Sequence, residues 1–173
     1  MLRKIISGGQ TGADRAGLDF AIEVGLEHGG YVPKGRKAED GRIDDRYRLV
    51  ELPSSSYPAR TKRNVAESDG TVIFSLEIDL VGGSELTLSH AFQTGKPAMR
   101  ISSAETQGAK EAFFKEAFFK QVWRLRHFIE KNRIEVLNVA GSRESEEPGV
   151  YAFTLGMLRR YWEDQKAPDD MRE

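Results

Sequence analysis

The chain has 173 residues, 39% of them hydrophobic and 31% charged, a balance that suits a folded protein with a sizeable core and excludes a disordered one. Its 26 Lys and Arg stand against 27 Asp and Glu, so no global field draws it to nucleic acid or to an anionic membrane, and any anion site must be local. The complete lack of cysteine excludes disulfides, thiolate zinc sites, iron–sulfur clusters and a cysteine nucleophile.

In chain order, residues 2–7 read as a first strand, and the glycine that follows two isoleucines ends the apolar run too soon for a signal peptide. Residues 12–24 read as a helix, 28–32 as a weak glycine-rich strand and 48–52 as a third strand. A short helix over 58–67 is opened by Pro58. Residues 71–75 are β-branched and aromatic, the pattern of a buried strand entered through the turn Ser68-Asp69-Gly70. A helix over 84–94 is stopped by Gly95 and Pro97. A strand over 97–101, a long helix over 107–131, a last strand over 134–139 and a last helix over 149–165 complete the order.

Strands alternating with helices imply an α/β fold: a doubly wound, mostly parallel sheet with helices on both faces, Rossmann-like. The length fits one domain over residues 1–166, with a frayed tail at 167–173. No apolar run approaches the ~20 residues that span a bilayer, so the expected compartment is the cytoplasm and no membrane partner is expected. Residues 33–47 fit this pattern poorly. They are charged and lack periodicity, as expected of a functional or mobile loop.

Three glycine- or serine-containing loops carry the chemistry. The first, Ser7-Gly8-Gly9-Gln10-Thr11-Gly12-Ala13-Asp14-Arg15, leaves a strand and opens a helix, where glycines let backbone approach a ligand and unpaired amides suit phosphate. Thr11 and Asp14 have capping-box spacing. The loop is neither the dinucleotide fingerprint nor a P-loop, since the G-x-G-x-x-G spacing and a following Gly-Lys-Ser/Thr are both missing. The second, Val81-Gly82-Gly83-Ser84-Glu85-Leu86-Thr87, again opens a helix. Counted as the loops after strands one and four, the two flank the crevice at which an open sheet reverses its strand order. A bulky residue at Gly9 or Gly83 is then expected to block ligand and spare the fold. The third, Asn138-Val139-Ala140-Gly141-Ser142-Arg143-Glu144-Ser145, offers Ser145 as a helix cap and Arg143 as a phosphate clamp.

Basic residues cluster at Lys34, Arg36, Lys37, Arg42, Arg46 and Arg48, and again at Arg60, Lys62 and Arg63. Acidic residues interrupt the first group, which argues against a nucleic-acid surface and leaves one or two of these cations to reach a pocket. The histidines, His28, His90 and His127, lack metal-ligand spacing, and no Ser-His-Asp arrangement or G-x-S-x-G motif appears. No catalytic residue and no metal ligand is therefore expected. Asp14 and Glu85 are the carboxylates best placed near a pocket, and both also suit a helix first turn. The near-repeat Glu111-Ala-Phe-Phe-Lys115, Glu116-Ala-Phe-Phe-Lys120 puts Phe113, Phe114, Phe118, Phe119 and Trp123 on one long helix, wider than a single core stripe. That width suits either a broad core face or a subunit interface.

Taken in order, several segments resemble the molybdenum cofactor carrier family, within the wider Rossmann-like group that includes the "lonely guy" phosphoribohydrolases. They are Gly8 to Arg15, Pro33-Lys34-Gly35-Arg36, Ala38-Glu39-Asp40-Gly41, Arg60-Thr61, Asn64 and Ser68-Asp69-Gly70-Thr71. Gly82-Gly83-Ser84, Leu86-Thr87, Gly95-Lys96-Pro97, Asn138-Val139-Ala140-Gly141, Arg143-Glu144-Ser145 and Pro148-Gly149 continue the match across nearly the whole chain. The resemblance implies a phosphorylated pterin or nucleotide-like small molecule, with molybdenum cofactor (molybdopterin) as cargo and a homo-oligomer, dimer or tetramer, as the assembly. It implies ligand contacts from Gly8, Gly9, Gln10, Thr11, Gly12, Asp14, Arg15, Lys34, Arg60, Thr61, Asn64, Gly82, Gly83, Ser84, Thr87, Arg143, Glu144 and Ser145. The alternatives are a hydrolase of the "lonely guy" type or a nucleotide sensor without catalysis. The hydrolase motif Pro-Gly-Gly-x-Gly-Thr-x-x-Glu places its glutamate at Ser89 and its third glycine at Glu85, so the reading leans away from an enzyme.

Overall fold

In the computed structural model, which describes residues 1–80, 82–106 and 111–166 (the side chains of 105–106, 111–114 and 166 excepted), the alternating pattern resolves into a five-stranded parallel sheet. Its strands are β1 (Lys4–Ile6), β2 (Glu27–Gly29), β7 (Gly70–Ser75), β8 (Ala98–Ser102) and β9 (Val136–Gly141), arranged β2-β1-β9-β7-β8. The intervening β3 (Tyr31–Val32), β4 (Lys37–Ala38), β5 (Gly41–Arg42) and β6 (Val50–Glu51) lie outside it. Five helices cover the sheet: α1 (Ala13–Val24), α2 (Tyr57–Glu67), α3 (Gly82–Gln93), α4 (Glu111–Lys131) and α5 (Val150–Lys166). The doubly wound α/β architecture is the one expected, and no helix among the described residues is long and apolar enough to cross a membrane. The tail 167–173, the second-loop residue Val81 and the start of the expected long helix at 107–110 lie outside the described residues.

The two faces of the sheet differ in chemistry. Against α1, α4 and α5 it buries Ile5, Val72, Phe74, Ile101, Leu137 and Val139, packed on Phe20, Val122, Leu125, Ile129, Leu158 and Tyr161. Val122, Leu125 and Ile129 recur at helical spacing on one stripe of α4, which is the apolar face that drives its docking. On the other face, where α2 and α3 pack together, the buried residues include Thr61, Asn64, Ser84 and Thr87. Asn138 there donates to Thr71 Oγ1 at 3.2 Å. Buried polar groups need hydrogen-bond partners, and this face meets that need largely with its own side chains and backbone.

Strand order departs from the sequence expectation in two places. Residues 48–52 do not join the main sheet; β6 pairs in parallel only with β3, after the expected second strand breaks at Gly30. The last strand, β9, inserts between β1 and β7, so strands one and four are not neighbours. At about 4.8 Å per strand, β1 and β7 therefore lie about 10 Å apart, with β9 and the third loop that follows it between them.

Residues 33–47 carry regular structure and a core of their own. β4 and β5 form a short antiparallel hairpin, and Ile43, Tyr47 and Leu49 build a second small core with Leu18 and Val32. Arg36, one of the cations expected to be solvated, is buried at its centre. It donates from Nε to Ile43 O (3.1 Å), from Nη1 to Leu49 O (3.1 Å), and from Nη2 to Asp44 O (2.8 Å) and Tyr47 O (3.0 Å). A planar fork with five donors is suited to this, because a segment with little regular structure has many carbonyls to satisfy.

Candidate functional site

A parallel sheet points the first turns of its crossover helices to one edge, and here those turns enclose a cleft of about 250 Å³. Gln10 comes from the loop ahead of α1 and Asp14 from its first turn. The first turn of α2 gives Tyr57, Pro58, Arg60 and Thr61, and that of α3 gives Gly82, Gly83, Ser84, Leu86 and Thr87. Ala140 and Gly141 enter from the end of β9, and Arg143 and Glu146 from the loop after it. The cleft thus draws on all three loops that the sequence singled out, with the third in the middle rather than to one side. A small polar extension lined by Asn64, Asn138 and Gly8 continues beneath Arg60.

Gly12 is fixed by geometry. Its φ is 78°, and a Cβ there would come within 2.4 Å of Ser142 O, so only glycine lets α1 start against the third loop. The Thr11–Asp14 pair does not form the expected capping box, since no side chain caps Gly12. Instead Asp14 Oδ2 accepts from Gln10 N at 3.3 Å. Thr11 donates its hydroxyl to Glu39, and Glu144 N donates to Thr11 Oγ1 at 3.4 Å. Nor does Ser145 cap the last helix. Glu144 does so, accepting from Gly149 N at 2.7 Å and Tyr151 N at 3.0 Å, because its longer side chain reaches past the intervening turn.

Arg60 dominates the electrostatics of the cleft. Its guanidinium lies against Gly8, close enough that a Cβ there would meet Nη1 at 2.5 Å. Nη1 donates to Gly8 O at 3.2 Å and reaches Asp14 Oδ2 at 3.5 Å, while the buried Nε has no partner. Burial, the largest influence on Asp14, raises its carboxyl above the ordinary range, although Arg60 and the Gln10 amide pull the other way. Arg60 and Arg143 each place a guanidinium carbon 5.6 Å from the Tyr57 ring, so an aromatic stands between two cations at the mouth. The first turn of α3 presents open backbone, since nothing lies within 4 Å of a Cβ placed on Gly82 or Gly83.

Several expected contacts have other uses. Asn64 spends its amide on the backbone of Tyr31, accepting from N at 2.8 Å and donating to O at 3.1 Å. Arg15 holds the first loop, donating to Gly9 O from Nε (3.3 Å) and Nη2 (3.2 Å), and pairs with Asp40 at 2.9 Å. Lys34 is exposed and Gly9 packs on Leu49, both away from the cleft lining. Thr87 donates its hydroxyl back to Gly83 O at 2.7 Å. Glu85 and Ser89 are exposed on the outer side of α3, where Gln93 donates to Ser89 Oγ at 3.3 Å. Tyr57 and Glu146 were missed by the sequence reading. An aromatic directly after the cap residue Ser56 was the available signal for Tyr57, whereas nothing local marks Glu146.

Glu39, at the tip of the β4–β5 hairpin, is bonded into the third loop. Its carboxylate accepts from the Thr11 hydroxyl, the Ser145 hydroxyl and Ser145 N (3.3 Å), and its own N–H donates to Gln10 Oε1 at 2.9 Å. Desolvation works against the charge, but the bonds from Ser145 and Thr11 together outweigh it and hold the carboxyl below its usual range. Among the described residues no group of three or more His, Asp or Glu is arranged to hold a metal.

Residues 5–162 match the family described as the circularly permutated YpsA SLOG family. The crystal structure of a protein from Syntrophus aciditrophicus, named a "putative molybdenum carrier protein", is 42% identical and superposes with a TM-score of 0.84 over 92% of this chain and 94% of that one. No functionally curated protein matches the chain. The resemblance read from the loops and the match of the whole fold agree, and the chain belongs to the circularly permutated YpsA SLOG family.

Proposed function

We propose that residues 1–166 act as one cytoplasmic ligand-binding domain that carries a phosphorylated small molecule, a pterin or nucleotide-like compound, without transforming it. One observation carries this: Arg60, whose buried Nε has no partner in the protein, lines a cleft together with the open first turn of α3. A phosphate there would meet a guanidinium donor and the positive end of a helix. At about 250 Å³ the cleft is near the lower bound of small-molecule sites, which start at roughly 300 Å³. That size favours one mononucleotide-sized ligand over a dinucleotide. Tyr57 offers a face for its heterocycle, and Arg143 a second cation.

Similarity to the Syntrophus aciditrophicus protein, a molybdenum carrier by name, favours molybdenum cofactor as the cargo. The lack of cysteine is compatible with it, because the cofactor's own dithiolene sulfurs hold the metal and the chain need grip only pterin and phosphate. The hydrolase alternative receives no support from α3, whose Glu85 and Ser89 face solvent. We also propose a homo-oligomer, dimer or tetramer, assembled through exposed Phe119 and Trp123. Phe113 and Phe114, which the sequence grouped with them, lie outside the described side chains.

The test is mass spectrometry of small molecules released from natively purified protein, wild type and R60Q. A molybdenum-containing pterin released by wild type and lost from R60Q is the expected result. A ligand that stays at wild-type occupancy in R60Q would overturn the assignment of the cleft. Multiple-turnover release of free base from nucleoside monophosphates would overturn the carrier reading.

A further inference from the structure

The geometry points to Glu39 as an internal occupant of a second oxyanion subsite, formed by the Thr11 hydroxyl and the hydroxyl and amide of Ser145, which a ligand's own oxyanion takes when the hairpin is displaced. This rests on the reading of the neighbouring cleft as an anion site, and extends it to the far side of Gln10.

Three features of Glu39 argue for a stand-in rather than a fixed structural link. First, its donors are neutral: two hydroxyls and one loop N–H ahead of a helix, the set that recurs around phosphate oxygens. Its neighbour Asp40 pairs with Arg15, whereas Glu39 has no ion-pair partner among the described residues. Second, the tip that carries it is held lightly. β4 and β5 pair over only Lys37–Arg42 and Ala38–Gly41, and besides Glu39 the tip is tied to the first loop by the solvent-exposed Asp40–Arg15 pair, a kind of contact worth little. Third, the hairpin is coupled to the cleft. Gln10 Oε1 accepts from both Glu39 N (2.9 Å) and Thr11 N (3.0 Å), and Gln10 and Arg143 line the cleft. Withdrawal of Glu39 frees the Thr11 and Ser145 donors, the latter on the same loop as Arg143. The ligand class that follows carries two oxyanions, one for Arg60 and α3 and one for Thr11 and Ser145.

In this arrangement the hairpin competes with ligand. Apparent affinity falls by the fraction of molecules in which the subsite is vacant. Calorimetry with inorganic pyrophosphate tests it on the full chain. E39Q keeps the size of the side chain but removes the charge, and should bind pyrophosphate about tenfold more tightly than wild type, the scale of one charge-assisted hydrogen bond. Adding S145A to E39Q should return affinity to the wild-type value. Equal affinity in E39Q and wild type, with R60Q weakened, would overturn the stand-in and leave the cleft reading intact. Tightening in E39Q with R60Q unchanged would uphold the stand-in and overturn the cleft reading. No binding by wild type or E39Q would overturn the stand-in, since vacated donors must accept an anion. Should E39Q not fold, hydrogen exchange of the wild type decides: saturating pyrophosphate must speed exchange across residues 37–42, and unchanged exchange refutes the proposal.

Discussion

Replacing Arg36 by methionine should remove the post that holds residues 31–52 together. Arg36 is 8% exposed, and its side chain donates four hydrogen bonds to backbone carbonyls of Ile43, Asp44, Tyr47 and Leu49. Methionine fills much of the volume but supplies no donor, so all four acceptors lose a partner. Each fully buried, unmet group costs about 1–3 kcal/mol. The segment borders solvent and water will reach some of these carbonyls, so a total of about 3–5 kcal/mol is expected rather than the full sum. For a chain of this size that corresponds to a fall in Tm of about 10 °C. R36K should recover less than half, because one ammonium cannot address four carbonyls in a fixed plane. Denaturant unfolding gives the free energy, and hydrogen exchange locates it. Exchange should rise first across residues 31–52 and at Gly9, whose Cβ position lies against Leu49 and Ile43. A loss under about 1 kcal/mol, below what one or two unmet carbonyls cost, would refute the view that this segment is organised around Arg36.

The two loop glycines should behave differently, contrary to the sequence expectation that both are silent for the fold. G9V forces a branched residue to φ 71° with its Cβ 2.9 Å from Leu49 Cδ1, and should cost about 1–3 kcal/mol in thermal melts. G83L meets nothing within 4 Å, so it should melt like wild type and still lose ligand by filling the cleft; unchanged affinity would refute its place in the site. Burial raises the carboxyl of Asp14, so its ionised form costs the fold stability at neutral pH, and that cost is relieved as pH falls through the raised folded value. The Tm advantage of D14N over wild type should therefore shrink from neutral toward about pH 4, and an advantage that grows instead would reverse the sign of the argument. Phe119 is 46% and Trp123 63% exposed on α4; light scattering should show an oligomer that F119E/W123E dissociates, and a wild-type monomer at micromolar concentration would refute the assembly.

Local chemistry made much of this molecule legible in the sequence. The strand over 70–75 follows from a run of β-branched and aromatic residues, and α3 from its stop at Gly95 and Pro97. The three loops were visible because glycine or serine between a strand and a helix suits both a tight turn and a helix N-terminus open to an anion. Arg60 and Arg143 were marked as candidate cations, but so was Lys34, which stays in solvent. A sequence does not say which of several cations the fold turns inward. Pairing is non-local, so nothing in residues 134–139 announced that β9 would insert between β1 and β7 and bring the third loop to the centre of the cleft. Nothing in residues 33–47 showed that an arginine would satisfy four carbonyls where helix or sheet normally does so. The sequence by itself determined the alternating α/β order and the loops that line the cleft. The tertiary structure decided which strands are neighbours and which charges are buried, because both depend on contacts between residues far apart in the chain.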